Sequence, residues 1–417
     1  MKKIAVYSAS LVGAFMMMTG GAMAAPSCGL SNGQKANGEP IKVGAIVGQT
    51  GPDDFSSSGD AAQAFFKCIN ANGGVNGRPI EFTMEDDQWN PEVAAQVGNK
   101  LVKDVGVVAL VGSGSFVDMA VNAKLYADEG VMSMAGACAI SDCYESSNIV
   151  TAAGGPLISS VGAAQWAVAH QGAKNIVCVT TNIPTSGIYG CSWMQKFMEN
   201  KGLEASIIPL DPASADMNSA VLETIASGAD TVLVNMPGGM AAAFLKVAEE
   251  QDLRDNFKWI SSTPLYDADI PAALGKYWTG VLTVNAELNP IDGTGPDTTN
   301  WRAIMETYAN EGDPRDTFSQ AGYLAAKYFV EAVLKLDPAD INRASVTKAI
   351  QAISGKTSDM MCGPYYVGLA DRHLPNHANI MMQLVDGGFK QVSECTQVDT
   401  EYLAPYLAIE KEMGISN

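Results

Sequence analysis

The sequence predicts an α/β protein with parallel sheets that carry helices on both faces. Three observations lead there. Short apolar runs alternate with longer amphipathic ones, the β-α-β-α rhythm of crossover units. Glycine and proline punctuate the joins, as at Asn72-Gly73-Gly74, where glycine supplies the left-handed conformation that ends a helix. The rhythm also runs twice, in two units of about 115–120 residues.

The elements follow in order. A short apolar strand at 41–47 leads into Gly48-Gln49-Thr50-Gly51-Pro52. A helix is expected over 58–70, a strand over 80–85, and an amphipathic helix over 91–104 with Pro91 near its start. A buried-type strand at 107–111 ends at Gly112, and a helix at 117–129 and a strand at 131–134 complete the first unit. The second unit alternates helix 158–171, strand 175–180, helix 189–201, strand 205–209, helix 217–227, strand 231–235, helix 240–251 and strand 258–261. Beyond 280 the pattern changes to a strand at 280–287, a loop rich in Gly, Pro and Asp at 289–297, and helices at 301–311, 318–336 and 343–353. The tail holds hairpin-like runs at 365–367 and 380–385, then Asp386-Gly387-Gly388 and a run at 389–392; Asp-Gly between alternating apolar runs is a hairpin turn.

A chain of 417 residues has room for two or three domains. With 47% hydrophobic and 17% charged residues it is not a disordered chain. The net charge, 26 − 45 = −19, argues against a nucleic-acid binder and against a polybasic membrane anchor. Residues 1–25 resemble a cleaved signal peptide: Lys2 and Lys3, an apolar stretch to Met18, then Ala22 and Ala24 in an A-x-A pattern. The alternative, a membrane anchor, needs about 20 apolar residues, and Ser8, Ser10 and Thr19 interrupt the run. Cys28 raises lipidation as a further alternative, although Pro26-Ser27 is a poor approach to a lipidated cysteine. An exported protein is expected.

Eight cysteines agree with an oxidising compartment and with disulfides rather than reactive thiols. Eight allow about 105 pairings, and sequence does not choose among them. Proximity favours Cys138–Cys143 and Cys178–Cys191; Cys362–Cys395 staples the C-terminal region and leaves Cys28–Cys68. No pair has zinc-like spacing, so no metal or other cofactor is expected.

Catalytic patterns are missing. Gly112-Ser113-Gly114-Ser115-Phe116 does not give G-x-S-x-G, and Val117 stands where G-x-G-x-x-G needs its last glycine. His170, His373 and His377 are the only histidines, and Pro375 prevents a helical ligand pair from the last two. An exported hydrolase is thereby disfavoured. Strand ends are where α/β sheets bind ligands. Small or polar residues fill six of them: 49–55, 112–116, 135–139, 181–187, 235–239 and 261–263. Glycine and serine there expose backbone N–H groups, and helix N-termini favour an anionic group.

The run Ile69-Asn70-Ala71-Asn72-Gly73-Gly74-Val75-Asn76-Gly77-Arg78-Pro79-Ile80-Glu81, then Asp86-Asp87 and Pro91, resembles the leucine/isoleucine/valine-type (type I) periplasmic solute-binding proteins of ABC importers. Thr50-Gly51-Pro52 fits, as does Val111-Gly112 followed 18 residues after that glycine by Gly130-Val131. The resemblance spans roughly 40–395. It implies two Rossmann-like lobes joined by a three-crossover hinge, with crossovers near 155, 283 and 360. Lobe 1 then takes 40–155 and 284–358, and lobe 2 takes 156–282 and 359–410. It also implies a periplasmic location, a monomeric carrier, a membrane permease as partner and a small ligand buried between the lobes by hinge closure. Relatives of this fold include ligand sensors, a rival that the export signal and the lack of a fused signalling domain disfavour.

In such relatives a serine after the fourth strand meets the ligand carboxylate; Ser115 takes that place, with Phe116 beside it. Ala137 takes a backbone-contact position, but Ala139 stands where a threonine is usual. Ser186 replaces a lobe-2 aromatic, with Tyr189 nearby, and Pro237 replaces a tyrosine. Thr263 stands where a carboxylate usually pairs with the ligand ammonium, and Asp267 is the nearest acid. A buried ammonium without a partner is costly. The expected ligand is therefore a small carboxylate, aromatic or branched, without an α-ammonium, with Phe55, Trp89, Phe116 and Tyr189 as apolar walls. An amino acid served by Asp267 is the alternative.

Overall fold

The computed structural model describes residues 26–51 and 54–415; the signal sequence read at 1–25 lies outside them. Two sheets organise the chain. In the first, β1 (Ile41–Val47), β2 (Ile80–Asp86), β3 (Ala109–Val111), β4 (Ser133–Ala135) and β5 (Ile149–Thr151) lie in the order β2-β1-β3-β4-β5. All four pairings are parallel, and β1 is buried at every position but Lys42, as a strand covered on both faces must be. The helices α1 (Ser57–Ala71), α2 (Pro91–Asn99) and α3 (Phe116–Asp128) connect these strands. α2 starts where Pro91 presets the first turn and the Asn90 side chain accepts two backbone N–H groups, and it runs on as a wider turn through Val105.

The chain then crosses to the second sheet through α4 (Gly155–Trp166). There β6 (Asn175–Thr181), α5 (Gly187–Asn200), β7 (Glu204–Leu210), α6 (Met217–Ala226), β8 (Thr231–Asn235), α7 (Gly238–Glu250), β9 (Lys258–Ser261), α8 (Ile270–Leu274) and β10 (Leu282–Ala286) repeat the rhythm. It returns for α9 (Pro296–Tyr308), α10 (Thr317–Val333) and α11 (Arg343–Gln351), which cover the first sheet. It crosses a third time to β11 (Ala378–Val385), β12 (Gly388–Gln391), β13 (Thr396–Gln397) and α12 (Ala404–Glu412). The second sheet runs β12-β11-β10-β9-β8-β6-β7, with β13 also on β11; β11 and β12 are antiparallel and the rest of that path is parallel.

Each lobe has its own core. Phe66 of α1 and Tyr328 and Phe329 of α10 are fully buried in the first, and Trp259 and Trp278 meet at 4.8 Å in the second. α4 carries no charged side chain and is buried from Gly155 to Ala164. The four disulfides pair as the sequence favours: Cys28–Cys68, Cys138–Cys143, Cys178–Cys191 and Cys362–Cys395. Among the described residues no cysteine is free, and no helix is long and apolar enough to cross a membrane.

Several boundaries move. The break read at 283 falls inside β10, whose pairing with β9 and β11 keeps the chain in the second sheet to Ala286. The crossing read near 360 also comes later. Val367 and Gly368 still donate to the carbonyls of Ile353 and Gln351, and Tyr365 and Val367 pack in the first core. Tyr365-Tyr366-Val367 is not a strand: Tyr365 makes a single bridge to Lys356. The helix read from 301 begins at Pro296, because the Asp359 carboxylate accepts the N–H groups of Asp297 and Thr298 and satisfies that end. The strands β5 and β13 and the helices α8 and α12 are short and carry no clear period in the sequence.

Candidate functional site

The two sheets point their strand ends at a cleft holding about 890 Å³ of atom-free space, part of it open to solvent. The lobe-1 wall is aromatic. Phe55, between β1 and α1, centres four rings: Phe116 at 4.8 Å, Phe318 at 5.5 Å and Trp89 at 5.9 Å between centroids, with Trp89 and Phe116 5.2 Å apart. Such tilted and edge-on pairs suit the ring quadrupole. Trp89 is displayed by a strained turn. Gln88 and Trp89 both have φ of 55°, held by N–H bonds to the carboxylates of Asp86 (2.9 Å) and Asp87 (3.0 Å). Gly48 makes room for its ring, since a Cβ there would lie 2.9 Å from Trp89 Nε1.

The lobe-2 wall is built from helix beginnings. Ser186 and Gly187 open α5, Pro237 precedes α7, and Thr181, Asn235 and Thr263 stand at the ends of β6, β8 and β9. Neither α5 nor α7 has a side-chain cap, and both begin at the cleft with the positive end of the helix dipole; in α5 the Ile188 N–H is taken by the Ile183 carbonyl at 3.1 Å. The lobe-1 helices at the cleft differ: Ser115 caps α3 and Asp316 caps α10. Asn235 is fixed by its amide, which donates to the Gly187 carbonyl (3.2 Å). Cys138, beside Ala139, is stapled to Cys143, and the Tyr144 hydroxyl donates to its carbonyl (2.9 Å).

On the hinge side stand Gly155, Pro156, Ser159 and Glu287. Glu287 is 5% exposed, and its Oε2 accepts the Gly154 N–H at 2.7 Å. Burial pushes its carboxyl above the ordinary carboxylate range. Among the described residues lining the cleft it is the single ionisable side chain; no lysine, arginine or histidine lines it. Its carbonyl accepts from the Asn376 amide (2.7 Å), which also donates to the Ala152 carbonyl (2.9 Å). Asn376, with no exposed surface, thus ties all three crossovers.

Seven of the sequence-read residues meet here: Phe55, Trp89, Phe116, Ala139, Ser186, Pro237 and Thr263. Four do not. Ser115 lies behind the aromatic wall, 2% exposed, its hydroxyl donating to the Asp87 carboxylate. Ala137 is buried where the strand end bridges Gly114. Tyr189 packs inside lobe 2, its ring 6.1 Å from Tyr402. Asp267 turns back to accept the Asp269 N–H (2.7 Å). The glycines of 112–116 and 135–139 are also packing devices rather than anion cradles. A Cβ at Gly112 would lie 2.6 Å from that of Ala62 on α1, and one at Gly136 would lie 3.0 Å from the backbone of Gly322 on α10. Phe318 and Glu287 went unread. Phe318 lies in the first turn of an expected helix, and Glu287 ends an expected strand, so both carried a positional signal.

Behind Ser115, Asp87 and the fully buried Asp118 form a buried acid cluster with Asn122 and Tyr126, and burial raises the Asp118 carboxyl to about 7. The folded state then holds a proton that the unfolded chain releases near 3.8. Stability from this group falls as pH rises between those values and is level above them. Asp118→Asn is expected to gain melting temperature relative to the parent between pH 5 and pH 8. Thermal melts of both proteins across that range check it, and a constant difference refutes it.

The family model for periplasmic binding proteins matches residues 40–389. The chain belongs to this family. The binding protein is 22% identical over 333 residues to the leucine-, isoleucine-, valine-, threonine- and alanine-binding protein of Pseudomonas aeruginosa, covering 76% of this chain and 84% of that one. It is 30% identical to the Leu/Ile/Val-binding protein of Escherichia coli over 121 residues, 28% of this chain and only 32% of the relative's length. Among solved structures it resembles a solute-binding protein of R. palustris in complex with 4-hydroxybenzoate (TM-score 0.75, 19% identity, 88% of this chain and 100% of that one). A Thermus thermophilus branched-chain amino acid ABC transporter protein with bound valine is similar too (TM-score 0.75, 15% identity, 87% and 97%). These likenesses bear out the two-lobed fold expected from the sequence.

Proposed function

We propose that this binding protein is an exported, monomeric carrier that captures a small apolar-bodied carboxylate, aromatic or branched, and delivers it to the membrane permease of an ABC importer. One observation carries the reading: four aromatic rings on one wall face two uncapped helix N-termini on the other. A ring or branched chain fits the first wall, and backbone N–H groups at the second receive the carboxylate. Relative to the family pattern the ligand is turned round, because Ser115 is committed to Asp87 and leaves lobe 1 no free hydroxyl there. The neighbour holding 4-hydroxybenzoate supports an aromatic acid in this fold. Glu287 favours a second reading, an amino acid, since it places an acid in the cleft where Thr263 and Asp267 supply none.

A thermal-shift screen of ligand-stripped protein separates them. At 100 times its Kd a ligand adds about 2.7 kcal/mol, a shift of several degrees. Benzoate, 4-hydroxybenzoate or 4-methylpentanoate is expected to shift the melt and L-leucine and L-phenylalanine are not; the reverse pattern selects the second reading. Trp89→Ala removes a large part of the wall and is expected to weaken aromatic carboxylate binding by about tenfold or more. Titration calorimetry measures it, and an unchanged Kd removes Trp89 from the site.

A further inference from the structure

Glu287 sits in the cleft without a job in the reading above. Its surroundings are neutral from every side. The Gly154 and Gly155 N–H groups donate to it from the first crossover, and the Thr263 hydroxyl, which donates to Asn285 Oδ1 at 3.1 Å, lies against it from the end of β9. The Tyr144 hydroxyl is close by but donates to the Cys138 carbonyl, and from the third crossover Asn376 reaches only the Glu287 carbonyl. No charged side chain pairs with it, and no cationic side chain lines the cleft among the described residues. A carboxylate ligand would therefore bring a second negative charge into a mostly apolar space that closure shuts off from solvent. Two carboxylates sharing such a site do not both stay ionised.

We infer that Glu287 takes up a proton from solvent when the cleft closes on an anionic ligand, so that capture is linked to pH. The inference rests on the carboxylate reading of the site. The ligand carboxylate keeps its charge, because it meets the N-termini of two helices, α5 and α7, whereas Glu287 meets one, accepting the Gly154 and Gly155 N–H groups at the start of α4, and is buried beside it. The proton therefore settles on Glu287, which burial already inclines to hold one. Once protonated, Glu287 also gains an O–H that a ligand oxygen can accept. The direction follows from linkage. The complex binds one proton more than free protein plus ligand wherever free Glu287 is ionised, so affinity falls as pH rises. For a zwitterionic ligand the ammonium would pair with ionised Glu287, and no proton would be taken up.

The test is titration calorimetry with benzoate and 4-methylpentanoate, each from pH 5.5 to 8.5 in buffers of different ionisation enthalpy. The parent protein is expected to lose up to about tenfold in affinity per pH unit at the upper end and to take up as much as about one proton per ligand. Glu287→Gln keeps an oxygen for the Gly154 N–H but cannot titrate. It is expected to bind with a Kd independent of pH and with no proton uptake. Binding by the parent with a flat pH profile and no uptake overturns the inference and leaves the carboxylate reading standing. Binding of L-leucine or L-phenylalanine alone overturns both. Equal pH dependence in parent and Glu287→Gln overturns the assignment to Glu287.

Discussion

Gly322→Ala is expected to cost about 3 kcal/mol or more of stability and to lower the melting temperature by about 4 °C or more. Gly322 lies in α10 where it crosses α1 with backbone against backbone. A Cβ there would overlap the Ser58 carbonyl oxygen and lie 2.6 Å from its carbon and 2.7 Å from Cα. These are main-chain atoms, so no rotamer change relieves the clash and the helices must separate. Ser58 is held in turn, its hydroxyl donating to the Gly112 carbonyl at 2.8 Å. Separation also moves Phe318, one turn earlier on α10, away from Phe55. Circular dichroism melts and calorimetric titration together test this. A melting temperature within 2 °C of the parent would show that the crossing has slack, and the argument would fail.

Asn376→Leu is expected to cost about 2–4 kcal/mol, because it removes two hydrogen bonds and leaves two buried carbonyls, of Ala152 and Glu287, without their donor. Leucine branches at the same position but is larger, so no cavity is left, and its overpacking adds to the cost. The loss falls on the junction and on neither core. Scanning calorimetry is therefore expected to resolve a broadened or split transition as the lobes melt less cooperatively. A single sharp transition at the parent's temperature would mean that the crossovers hold without Asn376.

Much of this architecture was legible because parallel α/β units announce themselves through period and punctuation. The ends of β1, β8 and β9 lie where the apolar runs place them. The aromatic wall was partly legible: Phe55, Trp89 and Phe116 stand beside strand ends, where a large side chain without a strand partner turns towards the cleft. What failed were relations between residues distant in sequence. Ser115 reads as a free hydroxyl beside a helix start. Only the order β2-β1-β3 brings it against Asp87, which is 28 residues away in the chain. The glycines of the strand-end loops failed in the same way, since their role depends on α1 and α10 lying across them. Glu287 was hidden by habit of position. The acid of this cleft comes from the hinge, and the loop after β9 supplies Thr263 instead.

The knot at Asn376 is also a fulcrum. Ala152, Glu287 and Asn376 come from three separate passages of chain and are fastened to one another beside the ligand space. Two bodies pinned near one point can swing but cannot slide, and displacement grows with distance from the pin. The aromatic rim and the helix beginnings opposite it stand on the long arms of that lever. In such a geometry a small rotation about Asn376 moves the cleft walls further than it moves Glu287.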